Sequence, residues 1–403
     1  MKILGITAEY NPFHNGHKYH LEKSLEVTGA DYSVAVMSGN FTQRGEAALL
    51  DKWTRSRIAV ENGIDLVVEL PFVFACSRGE SFARGAVDIL EGLGATHIAF
   101  GSETGDTVEL EALACELSER AEELEDVQRA EMEKGESFVR SYSFAAEKIL
   151  GSEKAEMMRL PNNILALEYL KRIRYWRERG HVMEPAAVRR YGSGYRSIDE
   201  KSGFAGASIL RMMLEEGKPD YDQIGKYVPA NTAEAVREAL ISSEAEERAF
   251  TLLRSEIVKK SSSELSEIYC MGEGLENKFK KEIIKAGSIE EFVSAVVSRR
   301  YTEAAIRRLI VYVLMGIRET HPEEKLYARV LATGRGGREL LKLIKNRTEG
   351  GIPVITNINK ERDLCLEAGE TLRYDILASD IYSIIAGRGI YDFSDKVKRP
   401  YMG

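Results

Sequence analysis

Lys2-Ile3-Leu4-Gly5-Ile6-Thr7-Ala8-Glu9-Tyr10-Asn11-Pro12-Phe13-His14-Asn15-Gly16-His17-Lys18-Tyr19-His20 is the stretch that decides the fold of this chain. Its first part, residues 2–8, reads as a buried strand, and residues 17–28 continue as a helix. The polar loop between them begins a run holding His14, His17 and His20, three of the six histidines in 403 residues. A strand that turns into a helix gathers unpaired backbone N–H groups and the positive end of a helix dipole. Both favour an anion such as a nucleotide phosphate. A His-x-Gly-His tetrapeptide at that turn points to nucleotidyl transfer.

Outward from this unit the rhythm repeats. Strands are predicted at 32–37, 65–71 and 97–100, with helices at 52–62 and 81–92 between them. Alternating strands and helices predict a Rossmann-like α/β domain with a parallel sheet and right-handed crossovers. Ligands of such sheets lie beyond the carboxyl ends of the strands. The polar clusters at 9–17, 38–45 and 101–103 therefore converge on one crevice. An acidic stretch follows, with 13 Asp/Glu against three Lys/Arg in residues 101–136, and reads as an exposed helical insertion. A helix at 162–179 carries one apolar stripe (Ile164, Leu165, Leu167, Leu170, Ile173). A polar loop, Arg189-Arg190-Tyr191-Gly192-Ser193-Gly194-Tyr195, precedes a helix at 207–216.

Beyond residue 216 the alternation stops, and Gly217-Lys218-Pro219-Asp220 supplies the breakers of a boundary at 216–222. Helices are predicted at 232–241, 244–258, 264–270, 274–286, 289–298, 302–317 and 336–345, with a short strand at 353–356. The expected division is an α/β domain over residues 1–216 and a mainly α-helical, basic domain over 217–403. Residues 295–345 carry 11 Lys/Arg against five Glu, a local density that binds phosphate backbones despite a net charge of −8. A solvated helical face accounts for the same charges equally well.

The four cysteines (Cys76, Cys115, Cys270, Cys365) are scattered, which argues against a disulfide framework or a zinc ribbon and suits a reducing compartment. No targeting segment is visible, and the longest apolar run, residues 309–317, is too short to span a bilayer. A cytoplasmic protein without membrane contact is expected.

Several constellations carry the chemistry. Two imidazoles at a helix start can donate hydrogen bonds to the oxygens that gain charge when the α–β phosphate bond of ATP breaks, and Gly16 lets the backbone approach closely. A metal site on His17 and His20 lacks a third ligand nearby, so no protein-held metal is expected. Arg44, Lys52 and Arg55 place cations near the same edge, although a capped surface turn also explains Arg44. Gly101 leaves room for a base or ribose. Asn162-Asn163 opens a helix that one N-cap residue would satisfy, so the second asparagine is the surplus that points to a ligand. Ser208 and Arg211, at another helix start, fit phosphate contacts; a plain cap is the rival there. Arg299, Arg300, Arg307, Arg308, Arg335 and Arg338, interleaved with Tyr301, Tyr312 and Tyr327, suit RNA, with Tyr312 the one more at home in a core.

Taken together, Glu9-Tyr10-Asn11-Pro12-Phe13-His14-Asn15-Gly16-His17, Met37-Ser38-Gly39-Asn40-Phe41-Thr42-Gln43-Arg44-Gly45-Glu46, Phe100-Gly101-Ser102-Glu103 and Pro161-Asn162-Asn163-Ile164-Leu165 resemble the tRNA(Met) cytidine acetate ligase family. The likeness continues in Arg300-Tyr301-Thr302 and Tyr327-Ala328-Arg329-Val330-Leu331, so it covers nearly the whole chain. It implies a ligase that activates acetate with ATP to acetyl-adenylate, then acetylates the exocyclic N4 amine of the wobble cytidine of elongator tRNA(Met). It also implies that ATP is held by Thr7, Ala8, Glu9, Tyr10, Asn11, Pro12, Phe13, His14, Asn15, Gly16, His17, Lys18, Tyr19 and His20, and by Gly101. One asparagine of the pair (Asn163 preferred over Asn162) and one arginine (Arg190 preferred over Arg189) join them. His14 and His17 are the expected catalytic residues. A magnesium ion is expected to bridge phosphates, ligated mainly by ATP oxygens and water. The competing readings are a small-molecule adenylyltransferase of the pantetheine-phosphate or nicotinate-nucleotide type, which needs no basic helical half, and a non-catalytic nucleotide-binding regulator.

Overall fold

Ile3, Leu4 and Ile6 are buried whichever way they point, which is the condition of a strand covered on both faces. In the computed structural model, which describes residues 1–190, 203–215, 219–239, 243–318, 325–345 and 351–403, this segment is β1 (Ile3–Ala8), the middle of an eight-stranded sheet. β2 (Tyr32–Ser38), β3 (Leu66–Leu70), β4 (His97–Ser102) and β5 (Glu184–Arg189) lie parallel to it, in the order β5-β4-β1-β2-β3. β1 pairs with β2 (Ile6 opposite Ala35) and with β4 (Ile6 opposite Ala99). The strand order therefore reverses around β1, where such sheets bind ligands.

Helices cover both faces. On one, α1 (Asn15–Thr28), α2 (Lys52–Glu61) and α5 (Ala207–Glu215) pack over Leu4, Ile6, Ala35, Met37, Val67 and Ala99; on the other, α3 (Gly79–Gly92) and α4 (Pro161–Arg177) pack over Ile3, Val34, Val36, Val68 and Ile98. The acidic segment forms four helices, Thr107–Glu119, Ala121–Glu133, Phe138–Leu150 and Ser152–Arg159. Their inner residues Leu110, Leu113, Leu117 and Leu124 join the second core.

The sheet also crosses residue 216. β6 (Ala328–Thr333) runs antiparallel to β3, β7 (Val354–Ile355) follows it, and β8 (Tyr401–Met402) also pairs with β6. The sheet is thus mixed, with its antiparallel pair at the β3–β6 junction. Sequence reading found the strand at 353–356 but not β6, because buried Arg329 interrupts its apolar run. It likewise missed β5, which takes Arg189 out of the expected loop and ends at that residue, and α8 (Arg362–Ile385), a helical segment broken by a kink at Gly369. Of the remaining helices, α6 (Glu303–Met315) carries Arg307 and Arg308 and α7 (Arg335–Lys345) carries Arg335 and Arg338. Tyr191, Gly192 and Tyr195 of the polar loop, and Gly217 and Lys218 of the expected boundary, lie outside the described residues. Among the described residues no helix is long and apolar enough to cross a membrane.

Candidate active site

Between the end of β1 at Ala8 and the start of α1 at Asn15, the chain crosses the carboxyl edge of the central strand. Buried Tyr10 and Phe13 hold this loop down, their rings 4.8 Å apart and 5.0 and 5.5 Å from the His17 ring. Tyr10 adopts φ 47°, a left-handed conformation that costs a bulky residue about 1–3 kcal/mol, so its ring packing must outweigh that strain.

His14 caps α1 in an extended conformation, and its ring stacks on that of His17 at 3.6 Å. Gly16 makes this possible, since a Cβ there would stand 2.9 Å from the His14 ring. The His14 amide donates to Nδ1 of His17 at 3.3 Å. A ring nitrogen that accepts cannot carry the proton, so neutral His17 keeps it on Nε2 as a donor. At the helix start the Asn15 N–H is already spent on the Tyr227 carbonyl at 2.9 Å; Gly16 N–H has no partner among the described residues. Nδ1 of His14 and Nε2 of His20 are buried without a partner. Such atoms are costly and are expected where a ligand completes the hydrogen bond.

Burial, reinforced by the Arg190 guanidinium, pushes the His14 imidazole down to about 3. Burial also lowers His20, to about 4, against the raising effect of its bond to the Phe100 carbonyl. His17 falls well below the ordinary value through burial, then through His14, Arg190 and His20. All three rings are neutral donors near pH 7. With the folded value below the unfolded one of about 6.5, the unfolded chain takes up more protons on acidification. Stability contributed here is complete above about pH 6.5 and is lost as pH falls towards 3. His14→Asn should therefore recover about 1–2 kcal/mol of relative stability between pH 7 and pH 5 in denaturant melts. Parallel pH curves for variant and wild type would contradict this.

The far wall comes from β4 and β5. Arg190 follows β5, its amide on the Ser102 carbonyl (3.1 Å) and its stem 3.3 Å from where a Gly101 Cβ would be. Arg189 instead faces Gly105. The Arg190 guanidinium donates to the side-chain carbonyl of Asn162, and Asn162 donates to Glu103 at 2.6 Å. Asn163 is wholly buried: it accepts from Ser102 (3.0 Å) and donates to the Met157 carbonyl (3.1 Å). Asn162 is thus the member of the pair that lies alongside Arg190. The orienting Glu103 escaped sequence reading as a functional residue, although it stands in the quoted Phe100-Gly101-Ser102-Glu103 string.

Arg211 of α5 reaches back to the loop, donating to the Asn11 carbonyl at 2.8 Å, with Ser208 Oγ 3.5 Å from its other nitrogen. Asn15 is tied to the carbonyls of Gly203 and Lys226 at 3.3 and 3.1 Å. Lys18 points outward, whereas Tyr19 packs on Phe204 at 5.6 Å. Among the described residues no group of three or more His, Cys, Asp or Glu could hold a metal ion.

Two cations expected at this edge are buried beneath it rather than open to a ligand. Lys52 and Arg55 are fully buried. Lys52 lies between Glu69 (2.7 Å) and Asp395 (2.8 Å), and Arg55 donates to the carbonyls of Leu50, Glu9, Ser38 and Gly39. They secure the loops, while Arg44 is exposed.

The basic residues of the second half do not form one surface. Arg299 and Arg300 are exposed just before α6, with Arg300 on Glu273 at 2.7 Å. Arg307 is surrounded by Glu290, Glu303 and Glu46. Arg308 donates to the Gln43 carbonyl at 3.2 Å, against a turn where Gly45 (φ 78°) leaves no room for a side chain. Arg335 and Arg338 begin α7 after β6, at the opposite end of the sheet from the histidines. Tyr301 stays half-buried, but Tyr312 and Tyr327 are core residues bonded to Cys76 and Asp375, so Tyr327 offers no stacking surface.

A family model described as HIGH Nucleotidyl Transferase matches residues 1–393. A protein of Thermoanaerobacter sp. (strain X514) named tRNA(Met) cytidine acetate ligase is 38% identical over 394 residues, spanning 95% of each chain. One of that name from Fervidobacterium nodosum is 33% identical over 412 residues, spanning 96% of this chain and 95% of its own. The crystal structure of Thermotoga maritima TmcAL in its apo form superposes with a TM-score of 0.88 at 29% identity, covering 100% of this chain and 99% of that one. The same protein bound with alpha-thio ATP gives 0.86 at 29% identity, covering 100% of both. The chain belongs to the HIGH nucleotidyl transferases and, within them, to the tRNA(Met) cytidine acetate ligase family.

Proposed function

We propose that this protein joins acetate to ATP as acetyl-adenylate, releasing pyrophosphate, and then acetylates the N4 amine of the wobble cytidine of elongator tRNA(Met). The observation that carries the reading is the stacked His14–His17 pair, with a buried, partnerless His14 Nδ1 and the His17 proton on Nε2, gathered with His20 and Arg190 at one strand end. The names of the relatives support the substrates. Acetate attacks the α-phosphorus in line with the leaving pyrophosphate. His17 Nε2–H and His14 donate to the oxygens that gain charge, where a preorganised donor is worth far more than water. Arg190 and Arg211 supply fixed positive charge on either side.

ATP is held along Thr7 to His20, with the Glu9 side chain turned aside to the Gln43 amide, and over Gly101 and by Arg190. Asn162 lies where it can meet the nucleotide, and Asn163 steadies Ser102 behind it. A magnesium ion arriving with ATP would offset the phosphate charge. Residues 1–216 perform the chemistry, residues 217–403 bind tRNA, and the protein works in the cytoplasm. Incubation with ATP, labelled acetate and bulk tRNA, followed by nuclease digestion and mass spectrometry, tests the whole reading. Label on any nucleoside other than cytidine, or none on RNA, would sink it.

Arg299 and Arg300 are exposed cations of the expected RNA surface. Replacing both by alanine is expected to weaken tRNA binding about 10-fold and to lower the salt-dependence slope by about 2, as for two lost phosphate contacts. Acetyl-adenylate formation should fall much less. Equal loss of both steps would count against separate roles for the two halves.

A further inference from the structure

Adenylation needs no proton removed, because acetate attacks as an anion. The transfer step does. The exocyclic amine of cytosine shares its lone pair with the ring, is a poor nucleophile, and must lose a proton as the amide forms. A base within reach of that amine is required chemistry, and the histidines are committed to donating towards phosphate.

The histidines and Arg190 occupy the β4–β5 side of the β1 end: His20 bonds to Phe100, and Arg190 lies over Gly101. Glu9, the first residue after β1, turns the other way. Its Oε1 accepts the Gln43 amide at 2.8 Å, in the loop that follows β2. This carboxylate is half-buried, yet among the described residues no cation closes an ion pair with it. The two guanidiniums whose charge acts on it are engaged with carbonyl oxygens, Arg55 on that of Glu9 itself and Arg211 on that of Asn11. The other groups facing it are Glu46 from the same loop, Cys76 beyond β3 and Tyr169 of α4, whose hydroxyl bonds to Thr7. Burial, with Glu46 adding to it, raises the carboxyl above the ordinary glutamate value despite the Gln43 amide, Arg211 and Arg55. A carboxylate raised in this way is better matched to proton transfer near neutral pH than an ordinary glutamate.

We infer that Glu9 is the general base of acetyl transfer, taking the proton from the cytidine N4 amine as that nitrogen attacks the acetyl carbon of acetyl-adenylate. The new bond is C–N. The bond that breaks joins the acetyl carbon to the phosphate oxygen, whose electron pair leaves with AMP; the proton passes from N4 to a Glu9 oxygen and on to water. Gln43 ties this base to the basic half of the chain, since its amide holds Glu9 and its carbonyl accepts from Arg308. The inference rests on the acetate-ligase reading above.

Enzyme loaded with labelled acetyl-adenylate and mixed rapidly with tRNA reads the transfer step directly. Glu9→Gln should slow it about 100-fold or more, at unchanged tRNA affinity, while pyrophosphate release with acetate falls by far less. The wild-type transfer rate should rise with pH through an ionisation above the usual glutamate range, and the variant should lose that limb. Glu9→Asp should retain the limb at an intermediate rate. A merely structural Glu9 predicts otherwise, because a glutamine carbonyl accepts the Gln43 amide equally well. Transfer by Glu9→Gln within about threefold of wild type, or the same loss in both steps, overturns the inference alone. Wild-type protein that releases no pyrophosphate with acetate overturns the underlying reading and the inference with it.

Discussion

His17→Ala is expected to cut acetate-dependent pyrophosphate release by about 10²–10³-fold while leaving the thermal melt close to wild type. The size follows from what the ring supplies. One preorganised donor at a developing oxyanion is worth about 2.7–4 kcal/mol of barrier in a water-excluded site. His17 is such a donor because the His14 amide occupies its Nδ1 and burial, with His14, Arg190 and His20 adding to it, holds the ring neutral. Stability should survive because the ring is half-buried in the first turn of α1, and Tyr10 and Phe13 keep their own ring contact at 4.8 Å without it. His17→Asn, which retains an N–H donor, should recover part of the rate. Near-normal turnover by the alanine variant would remove the assignment, and a large drop in melting temperature would reassign the residue to structure.

The second large effect concerns folding. Lys52→Met should destabilise the protein by about 3–5 kcal/mol in denaturant titration, the range for removing one member of a buried ionic cluster. Burial alone would discharge the lysine, but Asp395 and Glu69 hold it positive. Asp395 is shared with Arg329 (3.7 Å) and with Ser379 (2.7 Å); Asp375, bonded to the Phe72 amide at 2.6 Å, completes the cluster. Without the lysine, Glu69 and Asp395 face each other with Arg329 left as their counter-charge. A second change, Asp395→Asn, made in the Lys52→Met background should restore part of the loss. A cost under about 1 kcal/mol for the single variant would show that the pairs contribute little.

Local pattern made the first half legible. β1 to β4 are short apolar runs ended by glycine or polar residues, and the histidine loop stands at the one junction where a phosphate site is expected. What sequence could not show was depth. Lys52 and Arg55 read as cations at a ligand edge because nothing local reveals that Asp395, 343 positions away, neutralises one of them. β6 stayed hidden for the same reason, since Arg329 looks like a surface residue until its partners are known. In the Asn162–Asn163 pair, helix geometry decides which side chain meets Arg190, and only the placement of β4 and β5 fixes that geometry. Arg335 and Arg338 joined the other arginines by proximity in the chain, but the antiparallel course of β6 carries them to the far end of the sheet.

The late arrival of Asp395 bears on biosynthesis. β1 to β4, Lys52 and its partner Glu69 leave the ribosome early, whereas β6, which covers the open side of β3, and Asp395, the second counter-charge of Lys52, come far later in the chain. At about 5–20 residues per second that interval lasts roughly 15–60 s. Throughout it the nascent sheet exposes a bare, apolar edge, the kind of surface that templates aggregation. A chain released before β6 would keep that edge bare, so sensitivity to premature termination is built into the order in which this sheet is assembled.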